Sequence, residues 1–136
     1  IFFVKKLIHE FAFNYKERVI VFNSMGRLNY LSALQFVDGV VGNSSSGLIE
    51  APTFKIGTIN IGDRQTGRIK AKSVIDCAPS ESSIIEAINL LYSKKFQKKL
   101  SLIENPYGNG NSADKILKVL TNIKIPKNLK KVFYDL

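Results

Sequence analysis

Apolar residues recur at helical spacing along the first fifteen positions. Phe3, Leu7, Ile8, Phe11 and Tyr15 fall on one side, with Lys5, Lys6, Glu10 and Lys16 between them. This pattern predicts an amphipathic helix packed on a sheet. His9 flanks the stripe without a partner one turn away and reads as structural or solvent-facing. Residues 18–22 (RVIVF) are a short β-branched run and predict a buried parallel strand. A helix is expected over residues 28–36, opened by the turn at Ser24, Met25 and Gly26 and ended by Asp38 and Gly39. Residues 39–42 (GVVG), 55–61 and 73–76 then read as strands. Ser80 is placed to cap a helix whose apolar face is Ile84, Ile85, Ala87, Ile88, Leu91 and Tyr92, with Ser83 and Glu86 a second capping pair inside it. Residues 96–103 predict a second short helix. Ser112 is placed to cap a last one (Ala113, Ile116, Leu117, Val119, Leu120), which Pro126 closes.

Strands of four to six residues alternating with helices specify a parallel α/β sheet, half of a doubly wound fold. A chain of 136 residues has the length of one domain. It begins at Ile1, inside a helical pattern with no cap ahead of it, and is expected to be a piece of a longer protein. No apolar run approaches the roughly 20 residues that span a bilayer, and no signal-peptide pattern is visible. The single cysteine, Cys77, has no His nearby. It reads as a half-buried hydrophobe and points to a reducing cytoplasm.

Charge changes the picture only in part. The formal net charge is +9, and residues 94–136 hold ten Lys against three acids. A basic half raises nucleic-acid binding. Base readout favours Arg, however, and the basic residues are sixteen Lys to four Arg. The Lys pairs at 94–95, 98–99 and 130–131 are not interleaved with aromatics, so a solvated face is the expected reading, and nucleic acid is disfavoured as a partner.

Two stretches carry candidate chemistry. In Val40-Val41-Gly42-Asn43-Ser44-Ser45-Ser46-Gly47-Leu48-Ile49-Glu50-Ala51-Pro52, a buried strand runs into three serines and a glycine and then into a short helix. Backbone N–H groups at a helix start, serine hydroxyls and a glycine that lets the backbone come close are the parts of a phosphate site. A plain N-cap cluster uses the same residues, and the pattern alone does not separate the two. Glu50, about one turn on, would be repelled by phosphates unless it accepts hydrogen bonds from ribose hydroxyls. The second stretch, Asn60-Ile61-Gly62-Asp63-Arg64-Gln65-Thr66-Gly67-Arg68, also follows a strand. Arg64 could hold a phosphate bidentately; the alternative is a surface loop in which Asp63 pairs with the arginines.

GNSSSGLIEAP followed by INIGDRQTGR resembles the C-terminal half of the hydrolysing UDP-N-acetylglucosamine 2-epimerases. The likeness extends to FNSMGRLNYL before these motifs, and to NPYGNGNSADKI and KKVFYDL after them. It covers nearly the whole chain. Non-hydrolysing epimerases carry a Gly-Gly pair and a different arginine loop where this chain has Ser45–Ser46 and residues 62–68, so the hydrolysing branch fits better.

The resemblance implies a Rossmann-like α/β domain, the C-terminal half of a B-type glycosyltransferase-like two-domain fold. The substrate implied is a UDP-N-acetyl sugar, with no cofactor and no metal. By motif match, Ser44 and Ser45 would bind the diphosphate, with Ser46 and Gly47 lining the turn and Arg64 near the phosphates. Glu50 would bind the ribose, and the turn of Arg27, Leu28 and Tyr30 would approach the uracil. Asn105 to Asn109 resembles the family's NPYGDG loop, with Asn109 replacing Asp, and reads as a structural turn. The motifs that carry the general acid/base groups are absent, so residues 1–136 are expected to be a nucleotide-sugar-binding domain that works with an N-terminal catalytic domain. A non-hydrolysing UDP-N-acetylglucosamine 2-epimerase or a related glycosyltransferase, and a non-catalytic nucleotide- or nucleic-acid-binding module, are the other readings. An incomplete sheet with an unpaired edge also makes homo-oligomerisation an expectation.

Overall fold

A computed structural model describes residues 2–124 of the chain. They form two units, residues 1–106 and residues 107–136, of which the second is described as far as Lys124. The expected closure at Pro126 and the KKVFYDL segment lie outside the described residues.

The first unit is built on a three-stranded parallel sheet in the order β1 (Gly39–Gly42), β2 (Gly57–Ile61), β3 (Val74–Cys77). Val41 lies opposite Ile59, and Ile59 opposite Ile75. Side chains alternate between faces along each strand. One face of β2 carries Ile59 and Ile61, which pack with Ile75 of β3 and with Ala87 and Leu91 of α4 (Glu81–Leu91). Thr58 and Asn60 point the other way, and the Thr58 side chain meets α3 (Ser46–Ile49). A second cluster joins Leu34, Ala51 and Ile56, with Tyr30, Leu31, Val40 and Phe54 against it. It packs α2 (Gly26–Ala33) and the 3-10 turn Ala51–Phe54 on β1. Helices thus cover both faces, the α/β arrangement that the strand–helix alternation implies. Ile59 and Leu91 are 0% and 3% exposed, each burial contributing roughly 1.5–3 kcal/mol.

Caps place the later helices. The Ser80 hydroxyl accepts the Ser83 N–H at 3.4 Å, and the Ser83 hydroxyl accepts the Ala78 N–H at 3.0 Å, so the second serine supports the first. Glu81 adds an acid to the first turn, where the helix dipole favours it. Ser93 accepts the Phe96 N–H at 3.2 Å and starts α5 (Lys94–Leu100) two residues before the expected 96. Leu100 joins Ala71 and Ile103 in a third cluster, while Lys94, Lys95, Lys98 and Lys99 face solvent. In the second unit, α6 (Ser112–Asn122) is preceded by Asn111 in the left-handed conformation. Asn111 rather than Ser112 is therefore the residue outside the helix.

Three expectations are corrected. Residues 18–22 do not form a strand: Ile20 and Phe22 are 78% and 57% exposed, and among the described residues no strand pairs with this run. β-propensity is expressed only where a ladder satisfies the backbone, and the sheet ends at β1. Helix α1 (Phe2–Asn14) forms as expected but does not bury its stripe. Phe3, Leu7, Ile8 and Phe11 are exposed, and none of them joins the buried clusters that pack on the sheet. Finally, β2 starts at Gly57 rather than at 55. Lys55 adopts φ 59°, ψ 30° to end the 3-10 turn, which removes it from the strand, and its Nζ donates to the Ile103 carbonyl. Smaller shifts move α2 to 26–33, with a turn over 34–36, and β3 by one residue. No helix among the described residues is long and apolar enough to cross a membrane.

Candidate functional site

β1 and β2 are parallel neighbours, so the segments that leave their carboxyl ends start side by side. These are the serine turn (residues 43–46) and the arginine loop (residues 62–68), and they occupy the edge at which open α/β sheets bind ligands.

The serine turn is held from within and from below. The Ser44 hydroxyl accepts the Ser46 N–H at 3.3 Å, and the Ser44 carbonyl accepts the Gly47 N–H at 3.3 Å. Ser45 stands at the N-cap of α3, and its hydroxyl makes no capping bond. Below the turn, the Thr58 hydroxyl donates to the Gly47 carbonyl at 2.8 Å. A Cβ on Gly47 would lie 2.5 Å from the Thr58 methyl. The close approach that requires glycine at 47 is therefore to β2, and it seats α3 against the sheet. Glu50 closes α3, half-buried, with its N–H on the Ser46 carbonyl at 2.9 Å.

The arginine loop opens at Gly62, which has φ 78° and donates its N–H to the Cys77 carbonyl at 2.9 Å. Arg64 and Arg68 are exposed, and among the described residues neither forms an ion pair with Asp63. The alternative of a loop closed by its own ion pairs is not what the structure has. Gln65, between the arginines, is 3% exposed and donates from Nε2 to the Asn43 carbonyl at 2.7 Å. It is the physical link between the two segments.

Helix α2 brings in the third group. Arg27 and Leu28 are exposed at its start, and the half-buried Tyr30 hydroxyl contacts the Ser46 hydroxyl directly. Ser46 is thus engaged by Tyr30, while Ser44 is exposed and Ser45 half-buried. On the far side, Asn105 donates from Nδ2 to the Ile49 carbonyl at 2.8 Å and to the Thr53 hydroxyl at 2.7 Å. The segment expected to be only a turn therefore fastens the end of α3.

Beneath the arginine loop, buried Asn60 donates to Asp76 at 2.7 Å, and Lys70 reaches the same carboxylate at 2.7 and 2.9 Å. Partial burial pushes the Asp76 carboxyl up, but the hydrogen bonds from Lys70 and Asn60 outweigh it and hold the group below its ordinary value. Gln65, Thr58, Tyr30 as a partner of Ser46, and Asn105 as a clamp all escape sequence reasoning. Their contacts join residues 11 to 56 positions apart, and no local periodicity encodes them.

Chemically, the arrangement offers serine hydroxyls, which can donate to oxyanions, a guanidinium with no carboxylate partner among the described residues, and a carboxylate set back by about one turn. The family model described as UDP-N-acetylglucosamine 2-epimerase matches residues 3–121. Polysialic acid biosynthesis protein P7 of Escherichia coli is 36% identical over 134 residues, which is 98% of this chain and 34% of that protein. The GDP/UDP-N,N'-diacetylbacillosamine 2-epimerase (hydrolyzing) of Campylobacter jejuni is 38% identical over 135 residues, covering 96% of this chain and 35% of its own length. The corresponding UDP-N,N'-diacetylbacillosamine 2-epimerase (hydrolyzing) of Legionella pneumophila is 28% identical over 122 residues, 90% of this chain and 31% of its own. The chain spans about a third of the length of the curated relatives it matches. With its serine turn and arginine loop side by side on a parallel sheet, the chain belongs to the UDP-N-acetylglucosamine 2-epimerase family.

Proposed function

We propose that this chain is the UDP-binding portion of a hydrolysing epimerase. The enzyme would convert UDP-N-acetylglucosamine, or a related UDP-N-acetyl sugar, to free N-acetylmannosamine and UDP by anti-elimination followed by addition of water. The observation that carries the reading is the juxtaposition, at one sheet edge, of the serine turn and of Arg64, which forms no ion pair among the described residues. Two relatives whose names specify a hydrolysing 2-epimerase match almost the whole chain.

Ser44 and Ser45 donate hydroxyl protons to the diphosphate, and Arg64 closes over it from the neighbouring loop. Ser46 and Gly47 shape the turn, the former through Tyr30 and the latter through Thr58. Glu50 accepts from ribose hydroxyls, and Arg27, Leu28 and Tyr30 at the start of α2 border the uracil. Proton transfer at C2 of the sugar needs acid/base groups within reach of the ring. Glu50 and Asp63 are the acids of the site, and each has a binding or structural role, so those groups come from another domain of the full-length enzyme.

The test is a UDP titration of the 136-residue chain followed by NMR, repeated with Ser45→Ala and Arg64→Ala. Each substitution removes a hydrogen bond to a charged group and is expected to weaken binding about tenfold or more. Saturable binding that neither substitution weakens would move the nucleotide elsewhere. No binding at millimolar UDP would refute UDP binding by this portion alone. The chain is expected to release no N-acetylmannosamine from UDP-N-acetylglucosamine, and detectable release would place acid/base groups within it.

A further inference from the structure

Gln65 is the most buried polar side chain of the two site loops, and its bonding is lopsided. Nε2 donates to the Asn43 carbonyl at 2.7 Å, whereas Oε1 is buried with no hydrogen-bond partner among the described residues. The amide cannot be turned round, since that would set oxygen against oxygen. A buried acceptor with no donor is a cost that a leucine at this position would avoid. The hydrogen bond also spans 22 residues and joins the loop that holds Arg64 to the residue that precedes Ser44. Around it, the Gln65 carbonyl accepts the Arg68 N–H at 3.3 Å and the Asp63 carbonyl accepts the Thr66 N–H at 2.8 Å, two backbone turns that flank this residue.

We propose that Gln65 is a positioning residue that locks the arginine loop to the serine turn, so that the two segments open and close as one unit. The inference deepens the UDP-site reading, because the unit it defines is the one that would grip a diphosphate. The lock itself is a contact within the chain and needs no nucleotide to be measured. Its signature is coupled local opening: loss of the Nε2 donor loosens residues on both β1 and β2 exits and leaves the sheet and α4 as they were.

Amide hydrogen exchange of the 136-residue chain reads this directly. In Gln65→Met, the Gly47, Leu48 and Ile49 amides of the turn and the Thr66 and Arg68 amides of the loop are expected to lose protection together, by about tenfold or more. Val74 and Ile84 amides serve as controls and stay protected. Gln65→Glu supplies the chemical rescue. Ionised, it sets a carboxylate against the Asn43 carbonyl and opens the lock; protonated at lower pH, its O–H can donate and restore it. Protection factors in Gln65→Glu are therefore expected to rise on acidification in both segments, while those of Gln65→Met do not.

Loosening of only one segment, loosening of the controls to the same degree, or a Gln65→Glu chain without pH-dependent recovery would overturn the proposal. A UDP arm separates the two readings. If the native chain binds no UDP yet both segments loosen in Gln65→Met, the nucleotide reading fails and the lock stands. If the native chain binds UDP and Gln65→Met binds it equally well with unchanged exchange, the lock fails and the nucleotide reading stands.

Discussion

Thr58 holds Gly47 in two ways at once: its hydroxyl donates to the Gly47 carbonyl at 2.8 Å, and its methyl fills the space that a side chain at 47 would need, 2.5 Å from an ideal Cβ. A strand residue therefore fixes both the height and the composition of the serine turn. Gly47→Ala is expected to destabilise the chain by about 1–3 kcal/mol through overpacking. Thr58→Ser keeps the hydroxyl and removes the methyl, so it is expected to recover most of that loss in the double variant. Urea unfolding of the four members of the cycle measures the coupling; additive losses would show that the methyl is not the obstacle.

Tyr30→Phe removes the contact between α2 and the Ser46 hydroxyl while keeping the ring. The expected cost is roughly 0.5–1.5 kcal/mol of stability, the ordinary net value of one hydrogen bond. In the UDP titration it is expected to weaken binding less than Ser45→Ala does, because in the proposed site Ser46 shapes the turn and Ser45 donates to the diphosphate. The two affinities, measured side by side, check the assignment.

Asn105→Ala takes two hydrogen bonds from the end of α3, to the Ile49 carbonyl and the Thr53 hydroxyl. A loss of about 1–2 kcal/mol is expected from thermal or urea unfolding. A change below about 0.3 kcal/mol would mean that water replaces the side chain without cost.

The Lys70–Asp76 pair predicts a dependence on acid. The Asp76 carboxyl is held below its ordinary 3.8 by Lys70 and Asn60, which together outweigh its partial burial. The stabilisation is therefore complete above that value and is lost as pH falls through the lowered folded pKa. Asp76 is largely exposed, so the effect belongs with exposed ion pairs at about 0.2–1 kcal/mol. Asp76→Asn is expected to flatten the stability profile below pH 4 and to leave its neutral-pH value lower by that amount. Melting temperatures of both chains across pH 2–7 provide the check.

The parts of this fold that were legible in the sequence are those whose determinants are local. The Ser80 cap and the apolar face from Ile84 to Leu91 lie within a dozen residues and define α4 unaided. GNSSSG between two β-rich runs marks the serine turn, and the arginine loop is visible for the same reason. Residues 18–22 show the opposite case: RVIVF has strand composition, but a strand also needs a neighbour, and composition says nothing about one. Lys55 was hidden for a different reason, since its left-handed conformation depends on the packing of the 3-10 turn before it. The contacts that knit the site together (Tyr30 to Ser46, Thr58 to Gly47, Gln65 to Asn43, Asn105 to Ile49) arise only when distant segments meet.

Chain order and spatial order coincide in the sheet, β1 then β2 then β3. The consequence lies in folding. The single pairing of β1 with β2 closes a loop of moderate length, and that closure alone brings the serine turn beside the arginine loop. The serine turn and the arginine loop are thus set side by side by one strand pairing, from one continuous stretch of chain. Substitutions at Thr58 or Gly47, which join α3 to β2, are accordingly expected to slow folding only if this pairing forms in the transition state, which folding and unfolding rates of Thr58→Ala would show.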